Sequence, residues 1–262
     1  MEGRFTFLGT GTSRGVPMMC CSCPVCTSAD PRDQRYRAAA LVEVGGVRLL
    51  LDCGPEIRLQ LIRAQCTALD AVLLTHPHAD HLNGIDDLLS ISQHARQALP
   101  FYADRSSLKA ISSRFDYIEE LRYKPDGTPR WSVPQLEFHE VTGRPFRING
   151  VEVIPLPIYH GRARTMGYRI GDMAYVCDCS RIPEETYPLL EGVNDLVIDA
   201  LRWHAHPTHF SILQAEDEIR RIAPRRAWLT HLTHDVSHAR DSQLMRPGVF
   251  LAYDTLSFNF NC

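Results

Sequence analysis

A chain of 262 residues with 44% hydrophobic and 23% charged side chains has apolar material for a sizeable core and reads as an ordinary soluble globular protein. Lys and Arg number 28 against 31 Asp and Glu, for a net charge of −3, so there is no global basic footprint and long RNA or DNA is disfavoured as a partner. The N-terminal stretch MEGRFTFLGTGTSRG lacks a basic region leading into an apolar segment, and no run approaches about eighteen apolar residues, so a cytoplasmic protein with no membrane attachment is expected. Nine cysteines in a chain of this length fit reduced thiols or metal ligands better than a disulfide framework.

In chain order, the first strand is predicted over Arg4 to Leu8. The Gly9-Thr10-Gly11-Thr12-Ser13-Arg14-Gly15 run that follows is not a phosphate-binding P-loop, because no Gly-Lys-Ser/Thr closes it. It reads as a tight turn, with Arg14 free to meet a substrate phosphate. Cys20, Cys21, Cys23 and Cys26 then fall within seven residues, and the C-x-C-x-x-C at 21, 23 and 26 has the spacing of a structural zinc site that draws a fourth ligand from elsewhere. Cys20 could replace Cys21 in that register.

Strands are predicted at Ala38 to Val44 and Val47 to Asp52, joined as a hairpin through Gly45-Gly46, and a helix at Glu56 to Gln65. Ala71 to Thr75 (AVLLT) reads as a fully buried strand, and from Asn83 to Arg96 the apolar residues fall at helical spacing. Between them lies His76-Pro77-His78-Ala79-Asp80-His81. One histidine would be read as a cap or a solvated side chain. Three histidines and an aspartate in six residues, on a strand-to-helix loop, offer a set of nitrogen and oxygen donors suited to zinc, manganese or iron, and side chains diverging from a strand end can serve two metal centres.

Further strands are predicted at Val151 to Ile158, Met166 to Ile170, Met173 to Cys177, Leu196 to Asp199 and Ala227 to Leu229, with helices at Pro183 to Glu191 and Ser211 to Ile222. No repeat, low-complexity tract or linker divides the chain, so one domain over 1–262 is expected, built of sheets covered by helices. Cys177 and Cys179 flank Asp178 and are read as buried small hydrophobes whose sulfurs point away from it.

The H-x-H-x-D-H motif resembles the signature of the metallo-β-lactamase superfamily. That resemblance implies a four-layer αββα sandwich with the site at one edge between the sheets. It also implies a His, an Asp and a His downstream, for which His160, Asp178 and His231 stand at strand ends in the expected order. By the same resemblance, His76, His78 and His160 hold one divalent metal ion, Asp80, His81 and His231 hold the other, and Asp178 bridges them, with manganese or zinc the expected metals. Within the superfamily the chain resembles phosphodiesterases like the phosphoribosyl cyclic phosphate hydrolase of the carbon-phosphorus lyase pathway. The motifs that carry this are F-L-G-T-G-T-S-R-G-V-P, Cys21, Cys23 and Cys26, V-R-L-L-L-D-C-G, L-L-T-H-P-H-A-D-H and L-T-H-L-T-H-D. The resemblance implies that His234 completes a structural zinc with Cys21, Cys23 and Cys26, and that His209, ahead of the helix opened by Ser211, is the catalytic histidine.

The activity implied is hydrolysis of a small phosphodiester, such as a phosphoribosyl cyclic phosphate, by a hydroxide held between two cations. Asp80 orients that hydroxide, and His209 protonates the leaving oxygen, a task suited to imidazole near neutral pH. His204 and His206 either line the pocket or, as is commoner, are exposed; Arg162 and Arg164 could contact an anion, although surface arginines are commoner; and His94, His139 and His238 receive no role. Two other functions share these features: a transfer-RNA 3′ endonuclease, and a non-hydrolytic carrier like the accessory protein of pyrroloquinoline quinone biosynthesis. The thirty residues between Asp178 and His209, read as one helix and one strand, show no basic Gly/Pro-rich insertion of the kind a substrate-gripping arm needs, which counts against the endonuclease. A full set of seven ligands is more than a carrier needs. Relatives of this kind are often homodimers.

Overall fold

The computed structural model describes residues 1–262. Its strands are β1 (Glu2–Gly9), β2 (Ala39–Val44), β3 (Val47–Leu51), β4 (Ala71–Leu73), β5 (Leu99–Ala103), β6 (Leu136–Glu140), β7 (Phe146–Ile148), β8 (Val151–His160), β9 (Ala163–Ile170), β10 (Met173–Val176), β11 (Asp195–Asp199), β12 (Arg226–Thr230), β13 (Val249–Leu251) and β14 (Ser257–Asn261). Between them run α1 (Ile57–Arg63), α2 (Ala79–Leu82), α3 (Leu89–Ala95), α4 (Arg105–Arg114), α5 (Asp116–Glu120), α6 (Tyr187–Leu190), α7 (Ile212–Ile222) and α8 (His238–Asp241). The strands form two seven-stranded sheets, in the orders β14-β1-β2-β3-β4-β5-β6 and β13-β12-β11-β10-β9-β8-β7.

Strand alternation sorts the apolar side chains into layers. In β2 and the residue before it, Ala38, Ala40, Val42 and Val44 face a core shared with Val153, Tyr168, Tyr175 and Trp228 of the other sheet. Their neighbours Ala39 and Leu41 face the opposite way, onto Ile57, Leu61 and Leu88 from the covering helices. The second sheet repeats this, with Ala174, Val176, Leu196 and Ile198 packed on Leu190, Ile212, Ala215 and Ile219. Three apolar cores separated by two sheets make the αββα sandwich. Aromatic rings join its halves: Phe258 of β14 stacks on Trp228 of β12 with ring centroids 5.0 Å apart and on Phe5 of β1 at 5.1 Å.

Strands β3, β4 and β5 run parallel in one sheet, and β10, β11 and β12 run parallel in the other. Strand β8, two antiparallel steps from β10, points the same way as β10. The carboxyl ends of β3, β4, β8, β10, β11 and β12 therefore carry the loops with chemistry, and at such ends side chains project into a crevice. Near the site the sheets are tied by the Met166 amide donating to Thr75 O at 3.0 Å and the Tyr168 hydroxyl donating to Leu74 O at 2.6 Å.

Several regions depart from the sequence reading, among them the stretch after Thr230, where α8, β13 and β14 were not expected. The helix expected from Asn83 to Arg96 is broken: α2 begins at Ala79, a 3-10 turn spans Ile85–Leu88, and α3 starts at Leu89. Gly84 lies at the break, with its backbone against that of Gly54, so that a Cβ added to it would meet Gly54 O at 2.0 Å. Between Arg96 and Val151, where no element was expected, the chain forms β5, α4, α5, β6 and β7. Helix α4 carries few apolar residues, so its periodicity is weak, and β6 fully buries only Leu136.

Arg35 is fully buried and anchors the last loops of the chain to the first. Its guanidinium donates to Asp33 Oδ1 at 3.1 Å, Val236 O at 2.9 Å and Thr233 O at 3.1 Å. Removing one partner of a buried pair leaves the other unpaired, so Arg35→Ala is expected to lower stability by about 3–5 kcal/mol in urea unfolding. A loss below about 1 kcal/mol, as for an exposed ion pair, would show that Arg35 does not hold these loops together.

Candidate metal centre

His76 leaves the end of β4, His78 ends the extended segment before α2, and Asp80 and His81 occupy the first turn of that helix. The loop is held from below by the Asp52-Cys53-Gly54 turn after β3. The Cys53 amide donates to His81 O at 2.7 Å and the Gly84 amide to Cys53 O at 2.9 Å. Gly54 is required because a Cβ there would sit 2.1 Å from Asp80 O. His160 ends β8, Asp178 follows β10 and His231 follows β12.

All seven expected donors converge. His76, His78, His160 and Asp178 form one group whose donor atoms lie within 4.8 Å of one another, and Asp80, His81, Asp178 and His231 form a second. Asp178 belongs to both. Its Oδ2 lies 3.5 Å from His76 Nε2, while Oδ1 lies 3.3 Å from His81 Nε2 and 2.9 Å from His231 Nε2. Asp80 Oδ2 is 3.4 Å from His81 Nε2 and 3.8 Å from His231 Nε2. His78 is exposed and the others are buried, so solvent reaches the centre from the His78 side. Asp52, Asp178 and His231 each adopt a left-handed backbone, at φ of 64°, 51° and 61°. Such conformations cost about 1–3 kcal/mol each at residues other than glycine and are characteristic of functional sites.

The imidazoles are oriented by acceptors that the sequence reading did not identify. Asp52 is wholly buried and accepts from His81 Nδ1 at 2.7 Å, the Thr75 amide at 2.8 Å and the Thr75 hydroxyl at 3.0 Å. With its proton given to Asp52, the Thr75 hydroxyl is left to accept from His76 Nδ1 at 3.0 Å. His160 Nδ1 donates to Thr208 O at 2.7 Å. Each ring thereby turns Nε2 to the centre, and the Nε2 atoms of His76, His81 and His231 are buried with no hydrogen-bond partner. A sequence signal for Asp52 existed, an acidic residue ending a strand before Cys-Gly, at the same edge as His76.

Buried nitrogens without partners are costly unless something completes them, and here they face carboxylates. Burial holds His76 well below the usual imidazole range and His160 below it, which keeps both as neutral donors. Burial alone would lower His231, but the adjacent Asp178 pushes it up to about 10. Burial alone would raise Asp178, but His231 and His81 hold it well below the usual carboxylate range. The carboxylates thus call for positive charge at this spot, and the donor set of imidazoles and carboxylates fits two divalent cations.

His209 stands beside the centre, its ring centroid 4.8 Å from that of His231 and 4.6 Å from that of His160. Its Nδ1 donates to Asp199 Oδ2 at 2.8 Å, an oxygen that also accepts from the Cys179 amide at 2.7 Å. The sequence reading takes Asp199 only as a strand end; the structure makes it the anchor of His209. Just beyond, Ser211 and Gln214 form a reciprocal capping box, which fixes the start of α7 and with it the approach of His209.

Cys21, Cys23, Cys26 and His234 gather in a separate group. His234 Nδ1 lies 3.2 Å from Cys21 Sγ and 3.3 Å from Cys23 Sγ. The Cys26 amide donates to Cys23 Sγ, pulling that thiol down to about 6, whereas burial pushes Cys26 up to about 11. Cys20 is exposed and outside the group. Cys177 and Cys179 are buried in separate apolar cores, but the sulfur of Cys177 does not point away from Asp178 as expected. It contacts Asp178 Oδ1 at 3.4 Å, because the left-handed turn at Asp178 ends the alternation. His206 lies near His209, with ring centroids 5.2 Å apart, while His204, Arg162 and Arg164 are exposed.

Residues 47–232 match the sequence model of the β-lactamase superfamily domain. The chain belongs to the metallo-β-lactamase superfamily. Its fold also matches a crystal structure described as a new diphosphatase from the PhnP family, with a TM-score of 0.92, 33% identity and coverage of 99% of this chain and 98% of that one. Among curated relatives, an octanoyltransferase of Porphyromonas gingivalis is 38% identical over 97% of this chain, and the chain spans about half of that relative's length, 51%. A coenzyme PQQ synthesis protein B of Methylobacterium nodulans is 30% identical over 73% of this chain and 71% of its own. A ribonuclease Z of a Mycobacterium species (strain KMS) is 31% identical over 66% of this chain and 65% of its own. No helix is long and apolar enough to cross a membrane.

If Asp52 sets the orientation of His81, Asp52→Asn is expected to weaken divalent-metal binding by about 10–100-fold, measured by competition with a chromophoric chelator. Circular dichroism should stay unchanged. Unaltered affinity would show that His81 needs no such anchor.

Proposed function

We propose that the protein is a metal-dependent phosphodiesterase acting on a small phosphodiester, cyclic esters included. The observation that carries this reading is the pairing of two imidazole–carboxylate clusters through Asp178, with His209 held beside them by Asp199. His76, His78 and His160 would hold one divalent ion, Asp80, His81 and His231 the second, and Asp178 both. When bound, manganese or zinc ions would supply an activated water and neutralise phosphate charge. Asp80, near the shared end of His81 and His231, orients the attacking water. His209 presents Nε2 to the leaving oxygen and gives up its proton there, while Asp199 fixes the ring through Nδ1. Cys21, Cys23, Cys26 and His234 would hold a structural zinc that pins the N-terminal loop beside the site.

The likeness to a PhnP-family diphosphatase supports phosphate-ester or anhydride chemistry over lactam or thioester hydrolysis. A transfer-RNA 3′ endonuclease is less favoured. Between Asp178 and His209 the chain forms only a 3-10 turn at Glu184–Thr186, α6 and β11, with no extended arm. A pure carrier has no use for the His209–Asp199 pair.

Stripped protein refilled with manganese or zinc is expected to hydrolyse bis(p-nitrophenyl) phosphate, and the stripped protein is not. His209→Ala should lose about 10²–10⁴-fold in kcat while binding the same number of metal ions. Full turnover by that variant would remove His209 from the reaction. Cys23→Ser is expected to lose about one zinc per chain in elemental analysis and to keep the other ions; unchanged zinc content would mean the four-residue group is not a zinc site.

A further inference from the structure

Four imidazoles of the site, those of His76, His81, His160 and His209, are held at Nδ1 by a protein oxygen. His231 is not: its Nδ1 is buried with no hydrogen-bond partner. Its Nε2 is turned to Asp178 Oδ1 at 2.9 Å, so Nδ1 is the nitrogen left to carry the hydrogen. A buried N–H without an acceptor is costly.

Two polar atoms beside it are in the same condition. Asp199 accepts from His209 and from the Cys179 amide through Oδ2, and its Oδ1 is buried with no partner. Thr230 Oγ1 is likewise buried and unpartnered. Strand register brings these two together. Asp199 and Thr230 are paired neighbours at the ends of β11 and β12, each two residues beyond a side chain, Val197 or Trp228, that faces the core between the sheets. By alternation Asp199 and Thr230 share that face, just before the left-handed turn that swings His231 to the centre. A carboxylate oxygen of Asp199 lies within 4.8 Å of a ring nitrogen of His231, yet no hydrogen bond or ion pair joins the two side chains. Such a gap is too long for direct contact and fits one water molecule, whose hydrogen bonds span about 2.8 Å each.

We propose that Asp199 Oδ1, Thr230 Oγ1 and His231 Nδ1 enclose one buried water, through which Asp199 and Thr230 act as positioning residues for His231. The inference rests on the reading of His231 as a metal ligand and His209 as the proton donor. The water accepts from His231 Nδ1, donates to Asp199 Oδ1 and meets the Thr230 hydroxyl, about the three hydrogen bonds usual for an interior water. A third cation fits the spot less well. The His231 nitrogen turned to it carries a hydrogen and cannot ligate, which leaves one carboxylate oxygen and a neutral hydroxyl. Asp199 thus anchors two rings, His209 directly and His231 through the water, in keeping with their stacking at an interplanar angle of 15°. Metal ligand and proton donor are fixed in one frame.

The test is divalent-metal affinity, read by competition of manganese or zinc with a chromophoric chelator. Thr230→Val removes the hydroxyl without changing charge and is expected to weaken binding by about tenfold, while Thr230→Ser stays within about twofold of the wild type. Asp199→Asn should weaken binding as well as turnover, whereas His209→Ala, which leaves the water in place, should lose turnover alone. Unchanged affinity in Thr230→Val would overturn the proposal even if Asp199→Asn binds weakly, because losing a nearby negative charge weakens cation binding by itself. High-resolution crystals of the wild-type protein give a second readout that no variant's folding can spoil. A water within hydrogen-bond distance of all three atoms is expected; a dry site, or an anomalous peak from a third metal there, would overturn the proposal. The same water is expected in metal-free crystals, so a centre that takes up no divalent ions would overturn the ligand reading and leave the water to be decided by its density.

Discussion

The shared, buried carboxylate of Asp178 is the constraint on which the site depends. Its two oxygens face two different sets of imidazoles, and it is almost fully removed from water. A carboxylate in that position is tolerable only beside positive charge, and His231 and His81 are drawn toward their protonated forms by it. Divalent cations meet the same demand with less conflict, since imidazoles bind metals in their neutral form. The fold is arranged around meeting it: six strands from two sheets end at one edge, and several of those ends turn through a left-handed residue to aim a donor inward.

Orientation comes from a second layer of acceptors. Asp52, Thr75, the Thr208 carbonyl and Asp199 each take one ring nitrogen and leave the other for the centre. Both carboxylates among them are fully buried, and both lie at the ends of parallel strands. Main-chain interlocking through Gly54 and Gly84 then fixes the height of the His76–His81 loop over β3. In the proposed reading, metal affinity and proton transfer therefore rest also on residues outside the donor set itself.

The donors of H-x-H-x-D-H and C-x-C-x-x-C were legible in the sequence because their spacing is dense, whereas His160, Asp178, His231 and His234 were picked out by the family resemblance. H-x-H-x-D-H and C-x-C-x-x-C each place several donors in one loop, and His160, Asp178 and His231 each follow an apolar run. The orienting residues were less legible for a physical reason. Asp52 lies 29 residues from the histidine it serves and Asp199 lies 10 from His209, so only the assembled sheets bring them together. Sheets covered by helices could be read from buried strands alternating with amphipathic helices, and the family resemblance sharpened this to the αββα sandwich. The stretch from Leu99 to Ile148 could not, because α4 is largely polar and β6 and β7 lie toward sheet edges, where burial is partial. Cys177 shows the limit of periodicity: it follows strand alternation only up to the turn at Asp178, and there its sulfur reaches the neighbouring carboxylate.

The claim that two cations share Asp178 is tested most directly by anomalous diffraction from crystals of protein refilled with manganese or zinc, collected on both sides of each metal's absorption edge. Two peaks on either side of the Asp178 carboxylate are expected, one among His76, His78 and His160 and one among Asp80, His81 and His231, apart from any peak at the cysteine group. A single peak at the centre, or a signal confined to Cys21, Cys23, Cys26 and His234, would contradict it.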